Sequence, residues 1–438
     1  MALFAPVVII GSWFLVFHRY KISAWLTAVS LFFYISAQIN ALPVLLLSVA
    51  VNYAFACRIA KNPKCLPFGV TFNLLLLGYF KYADFFIANA NAVLQTHIEF
   101  LNIVLPLGIS FFTFSQIAYL VDLSRRNAVL VSFFDYLSAV TFFPQIISGP
   151  IIRIGDTAAQ IDGKKHRFSW KNMYAALILF IIGFVKKKLA DNYSYFVGNL
   201  YEADEITFVW AWCGSLAYTF QLYFDFSGYC DMGMAVAKML DIDLPVNFNS
   251  PYKSASIQDF WRRWHITLST WLKNYLYISL GGNRKGLGRA LLNNLTVMLL
   301  GGLWHGAGWT FVVWGALHGV ALCVCRLWKM TGIGLPKAAA YLLTFLFVHI
   351  AWVFFRANDI SQAFDVLSQM FCPTNFTLPH WIVVRKYVPP AVIGVLCAFF
   401  APNSMNIYED VKRGGGDSIL CVRPVFDIFR AVCNGSSK

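Results

Sequence analysis

Ten apolar runs constrain this chain more than anything else in it. Six approach spanning length: Ile103–Val121, Met173–Val185, Thr207–Phe224, Trp309–Cys325, Ala338–Phe355 and Tyr387–Ala401. Four are shorter: Leu3–Phe17, Ala24–Ala37, Ala41–Ala56 and Leu66–Phe80. A helix needs about 20 apolar residues to cross a bilayer. The pattern gives roughly ten to twelve membrane-level segments, several too short or too polar to be simple spans. Of the 438 residues, 58% are hydrophobic and 13% charged, against about 25% charged in soluble domains. A water-soluble fold of this length has no means of hiding so much apolar surface. The runs lack the alternating pattern of barrel strands, so the spans are helices, whose backbone groups are satisfied internally. Leu3–Phe17 has no basic residue before it and no small-residue cleavage site after it, and reads as a retained first span rather than a removed signal peptide.

Charge sets the expected orientation. Lys and Arg number 35 against 21 Asp and Glu. They gather in short loops: Arg19 and Lys21; Arg58, Lys61 and Lys64; Lys164, Lys165 and Arg167. The positive-inside rule places these loops in the cytoplasm and the N-terminus outside. The basic excess then belongs to topology and anionic headgroups, and no nucleic-acid partner is expected. Ten scattered cysteines show no C-x-x-C spacing. Several fall in apolar runs, where Cys behaves as a small hydrophobe. Cys323 and Cys325 near His318 are a weak metal candidate, and no metal site is expected. Residues 1–401 read as one membrane-embedded domain and 402–438, with glycines at 414–416, as a polar C-terminal tail.

Between Gln221 and His318 polar and aromatic residues interleave with apolar ones. An ionisable group at membrane depth costs about 2.5–3.5 kcal/mol on insertion scales, so such residues usually serve a purpose. Ser256–Leu280 predicts one amphipathic helix, interfacial or re-entrant rather than spanning. Ser256 and Asp259 form a capping-box variant, and Asp259 precedes Arg262 and Arg263 at ion-pair spacing. Phe260, Trp264, Leu268, Trp271 and Tyr275 form one stripe, with Trp261, His265 and Leu272 alongside. Arg262, Arg263, Ser269, Thr270, Lys273 and Asn274 fall mostly on the other side. His265 points inward, as a functional or a structural histidine. The following GGNRKGLGR (281–289) lacks the ending of a phosphate-binding loop and reads as a basic cytoplasmic turn; contact with an anionic donor is the sharper alternative.

In GGLWHGAGW (301–309), Gly301, Gly302, Gly306 and Gly308 surround His305 and permit close approach of backbone or substrate. Trp304, Trp309 and Trp314 suggest a rigid aromatic wall. An imidazole kept from water stays neutral and can accept a proton, so His305 is either a general base or a helix-packing histidine. Gln221 and Asp225 lie one helical turn apart, near Ser227 and Asp231; Asp225 either orients a histidine or pairs with an arginine. His318 reads as structural and His349 as core.

DFWRRWHITLSTWLKNYLYISLGGNRKG (259–286), NNLTVMLLGGLWHGAGWTFVVWGALHG (293–319), QLYFDFSGYCDM (221–232), LPLGISFFTFSQIAYLVD (105–122) and FFPQIISGPIIR (142–153) together resemble the membrane-bound O-acyltransferases. The resemblance runs from about Leu66 to Phe355 and is nearest to the bacterial alginate O-acetyltransferase membrane-subunit branch; the D-alanyl transferase of teichoic acid synthesis is a more distant relative. It implies an all-α polytopic bundle with a central funnel and re-entrant or interfacial helices, carrying an acyl group from a cytoplasmic donor to a hydroxyl at the outer face. It implies that His305, in LWHG, is catalytic and that His265, in WRRWH, is the second functional histidine. Asp225, Trp304, Arg262, Arg263 and Asn274 are the candidate substrate-binding residues around them. No cofactor is expected to stay bound; acetyl-CoA or another acyl thioester is the donor substrate. The expected partners are a periplasmic acetyltransferase or a polysaccharide acceptor, with membrane lipid around a multi-pass protein of the bacterial inner membrane. The alginate branch carries a further apolar stretch where this chain has only a short piece around Ile419–Val432. A transporter or flippase, which the absence of an internal repeat disfavours, and a non-catalytic scaffold of a polysaccharide synthase are the alternatives.

Overall fold

Apolar runs become helices throughout the computed structural model, which describes residues 4–161, 166–203, 205–377 and 381–414. Lys164, Lys165, the piece around Ile419–Val432 and most of the expected tail lie outside the described residues. No strand occurs among the described residues. In chain order the helices are α1 (Phe4–Phe17), α2 (Ser23–Gln38), α3 (Leu42–Lys61), α4 (Leu66–Leu77), α5 (Ala83–Leu94), α6 (Ile109–Ser124), α7 (Phe133–Thr141), α8 (Ile154–Ile161), α9 (Trp170–Tyr201) and α10 (Phe208–Met239). Then come α11 (Ile257–Arg263), α12 (Ile266–Trp271), α13 (Gly286–His305), α14 (Trp309–Met330), α15 (Lys337–Arg356), α16 (Ile360–Phe371), α17 (Trp381–Phe399) and α18 (Ser404–Arg413).

Among the described residues four helical runs are long and apolar enough to cross a membrane: Ser23–Lys61, Pro63–Leu94, Trp309–Met330 and Lys337–Arg356. Tyr387–Phe399 with Ser404–Arg413, bent by 63°, qualifies only as a pair. This is fewer than the apolar runs suggested, for identifiable reasons. The short runs at 24–37 and 41–56 join through a 3₁₀ turn at Ile39–Ala41. The run at 66–80 continues through a π-helical turn, Gly78–Tyr82, into α5. The run expected from Ile103 becomes helical only at Ile109. Pro106 precedes that start, and Gly108 has φ +72 and no room for a side chain, since a Cβ would lie 2.2 Å from the Ile146 carbonyl oxygen. α9 and α10 outgrow their predicted runs to 32 residues each.

The chain packs as two units. The first comprises residues up to 180 together with 232–245. Its interior includes a fully buried polar network. Asn52 and Asn73 exchange side-chain amide bonds across α3 and α4, at 3.2 and 2.5 Å. Gln116 donates to the Ser48 hydroxyl (2.9 Å) and accepts from Tyr136 (2.9 Å). Polar bonds of this kind hold helices together where lipid supplies no hydrophobic drive.

The second unit comprises 181–231 and 246 onward, and all the candidate site residues lie in it. α13 and α14 pack backbone against backbone. A Cβ on Gly302 would lie 2.2 Å from the Phe311 carbonyl oxygen, and one on Gly315 would lie 2.4 Å from that of Met298. The expected helix over 256–280 is broken, which corrects the sequence reading. Its start holds: the Ser256 hydroxyl accepts from the Asp259 amide at 3.1 Å. α11 then stops, Trp264 is extended and His265 takes the left-handed conformation, φ +42 and ψ +56. A non-glycine residue there costs about 1–2 kcal/mol. Segment 247–249 offsets that cost by pairing on both sides of the break. The Asn249 amide donates to the Arg263 carbonyl, and the Ile266 amide donates to the Asn247 carbonyl, each at 2.9 Å. The last piece, Leu272–Tyr277, is π-helical. Trp264 is buried among Phe260, Tyr252 and Trp352, whereas Trp271 is only half-buried, against Tyr275.

Candidate active site

The helix break turns His265 inward. It is 1% exposed and lies outside the candidate spans. Burial pushes its pKa down, to about 3, so the ring is neutral. Its Nδ1 lies 3.0 Å from the Asn247 carboxamide oxygen, and its ring meets Phe226 edge-on at 4.8 Å. Nε2 is buried and meets no hydrogen-bonding group.

His305 is the last residue of α13; the chain leaves the helix at Gly306, in extended conformation. Its half-buried imidazole is bordered edge-to-face by Trp304 at 5.0 Å, Trp314 at 5.1 Å and Phe355 at 5.1 Å. Trp304 also faces His265, at 6.2 Å between ring centroids. One indole therefore borders both histidines, which are 40 residues apart in sequence. The expected wall is corrected in one member. Trp309 is 55% exposed, and Phe355 from α15 takes the place assigned to it. The glycines divide by role. Gly302 admits the α14 backbone, and Gly306 makes room for the Phe311 ring, which a Cβ would approach to 2.1 Å. A Cβ on Gly308 would make only ordinary contacts, at 3.6 Å and beyond.

The other candidates fall elsewhere. Asp225 is half-exposed and ion-paired with Lys187 of α9, which also holds Asp191 at 3.0 Å. Neighbouring Lys186 pairs with buried Asp231 at 2.7 Å. Arg262 is exposed. Arg263 is engaged by Asp259 at 3.0 Å and reaches the Asn249 carbonyl. Asn274 is half-buried in the π-helical turn. The 281–289 segment is an exposed turn with positive φ at Gly281, Gly282 and Gly286, running into α13. His318 is fully buried and accepts the Trp261 indole N–H at Nδ1, 3.2 Å away. His349 is held in the core by Thr219 and Ser215. Among the described residues no three His, Cys, Asp or Glu side chains gather as metal ligands.

Three neighbours of the histidines lie outside the motifs that carry them. Phe355 and Phe226 are single aromatics in long aromatic runs. Asn247 stands in PVNFNSPY, where a polar side chain between prolines is the one local sign of a special position.

The second unit of this helical membrane protein sets two histidines against one buried indole, and sequence comparison defines its class. The chain matches the profile of the MBOAT, membrane-bound O-acyltransferase family, over residues 98–358. It is 43% identical over 394 residues to a peptidoglycan O-acetyltransferase of Helicobacter pylori, covering 81% of this chain and 75% of that protein. It is 38% identical over 392 residues to a probable alginate O-acetylase of Azotobacter vinelandii (86% and 77%), and 38% over 388 residues to one of Pseudomonas aeruginosa (84% and 73%). The chain belongs to the membrane-bound O-acyltransferase family, and is an O-acyltransferase of the membrane.

Proposed function

We propose that this protein is an O-acetyltransferase of the bacterial inner membrane, and that it passes an acetyl group from a cytoplasmic thioester donor, acetyl-CoA or another acyl thioester, toward hydroxyls of an exported polysaccharide. A periplasmic acetyltransferase, or the polysaccharide itself, receives the group. His305 is the general base. Its imidazole takes the proton of the acceptor hydroxyl, whose oxygen attacks the thioester carbonyl; the thiol leaves and the proton follows it. His265, across Trp304, positions donor or acceptor. The observation that carries this reading is the placement of both histidines against one indole, with His305 at a helix end where the glycine segment opens. The relatives are named for the O-acetylation of peptidoglycan and, as probable activity, of alginate, which supports a glycan acceptor.

The test is acetyl transfer from labelled acetyl-CoA per folded protein, for wild type, His305→Ala and His318→Ala. A positioned general base contributes typically 10²–10⁴-fold, so His305→Ala should lose activity on that scale while inserting normally. His318→Ala should cost stability but keep its activity per folded molecule. Near-normal transfer by folded His305→Ala would refute the assignment.

A further inference from the structure

The Asn247 side chain decides which nitrogen of His265 carries the proton. Its carboxamide oxygen accepts from the Thr267 backbone amide at 3.3 Å and from the Thr267 hydroxyl at 2.9 Å. A backbone N–H can only donate, so the oxygen, not the nitrogen, must face this cluster. The carboxamide nitrogen is turned the other way and donates to the Cys230 thiol at 3.4 Å. His265 Nδ1 lies 3.0 Å from the same oxygen, and an oxygen with no hydrogen can only receive. Nδ1 must therefore be the protonated nitrogen, and Nε2 of the neutral ring keeps its lone pair. That Nε2 is fully buried and meets no hydrogen-bonding group. An unsatisfied acceptor in such a place is destabilising unless something binds it.

The backbone around Asn247 is built for this task. Its own carbonyl accepts from Ile266, which fixes the chain on the far side of the left-handed His265. Asn247 is itself fully buried, so its orientation does not fluctuate with solvent. Main chain and side chain of one residue thus set both where the ring stands and which edge it presents.

We infer that Asn247 is a positioning residue of the acyltransferase site, holding His265 in the Nδ1–H tautomer so that Nε2 presents a lone pair to a hydrogen-bond donor of the substrates. The donor is a hydroxyl or amide N–H; a carbonyl or thioester oxygen cannot fill the place. This rests on the reading of His265 as a functional histidine, and narrows it: His265 accepts a hydrogen bond from substrate rather than giving one.

The experiment uses the full-length protein in lipid, labelled with ¹⁵N at histidine. The His265 signals are those lost in His265→Gln. In wild type the His265 Nε2 should resonate as an unprotonated and Nδ1 as a protonated imidazole nitrogen. Asn247→Leu should release the ring to the other tautomer and lower acetyl transfer by at least about tenfold, since a histidine in the wrong tautomer loses up to about 10⁴-fold in kcat. Asn247→Asp keeps an accepting oxygen and should retain the proton on Nδ1, with more activity than Asn247→Leu. If Asn247→Leu does not fold, wild type and Asn247→Asp carry the spectroscopic test. A wild-type His265 protonated at Nε2 instead of Nδ1 overturns the inference whatever the activities. Wild-type activity in His265→Gln would overturn the functional reading of His265 while leaving the tautomer assignment standing.

Discussion

Phe355 shows how much of this site is made by residues without chemistry of their own. An imidazole at the end of a helix has rotamer freedom, and His305 is held by rings on three sides: its neighbour Trp304, Trp314 and Phe355. Phe355 is half-buried at the end of α15, where its ring also meets Phe311, Trp314 and Trp352. A misplacement of about 1 Å can cost 10²-fold in rate. Phe355→Ala should therefore reduce acetyl transfer per folded protein by roughly ten- to a hundredfold, more than its loss of stability explains, and Phe355→Leu should recover part of it. A fall in Tm that tracks the fall in activity would assign Phe355 to the core instead. His318 offers a contrast. An indole N–H can only donate, so Trp261 requires the lone pair on Nδ1 of His318, the opposite arrangement to His265. Two buried histidines of one unit are thus fixed in opposite tautomers by neighbours of opposite polarity.

The elements that carry these rings meet closely because of glycine. Gly302 lies one helical turn before His305, and its partner surface on α14 includes Gly315. A side chain at 315 would have to displace the Met298 carbonyl, 2.4 Å from the Cβ position. Gly315→Val should then destabilise the α13–α14 pair by about 1–3 kcal/mol or more, the usual range for overpacking, and shift His305 with it. Thermal unfolding in detergent and activity per folded protein measure both; unchanged values would mean that the helices part without loss. Much of this was legible in sequence. The Gly-rich surround of His305 and the cap at Ser256 follow from local pattern, whereas His265 reaches its buried place through a break in the helix that was expected to carry it. The break at Trp264 was not legible. Ser256–Leu280 contains no glycine or proline to announce it, and the bonds that stabilise it come from 247–249, a separate stretch of chain. The same holds for Asn247 and Phe355, 18 and 50 residues away from the histidines they contact. Periodicity reports which face of a helix is apolar, not which distant residue will arrive there.

At the scale of the whole molecule the open question is sidedness. The loops at 18–22 and 58–65 carry Arg19, Lys21, Arg58, Lys61 and Lys64, and the turn at 281–289 adds three exposed basic residues. The positive-inside rule predicts that all three face the cytoplasm. Single cysteines placed at Lys21, Lys64 and Lys285 in a cysteine-free background should resist a membrane-impermeant maleimide in whole cells and react after permeabilisation. Labelling of intact cells at any of them reverses the proposed orientation and the side from which the donor arrives. The paired amides of Asn52 and Asn73 bear on how such a protein can change over time. Each amide answers the other's donor and acceptor, and a buried polar group left alone costs far more than two lost together. Neither asparagine can drift singly without passing through a weakened intermediate, whereas an apolar couple of similar shape would be nearly neutral. The two positions are expected to change together, so that lineages that have abandoned one asparagine should be found to have abandoned both.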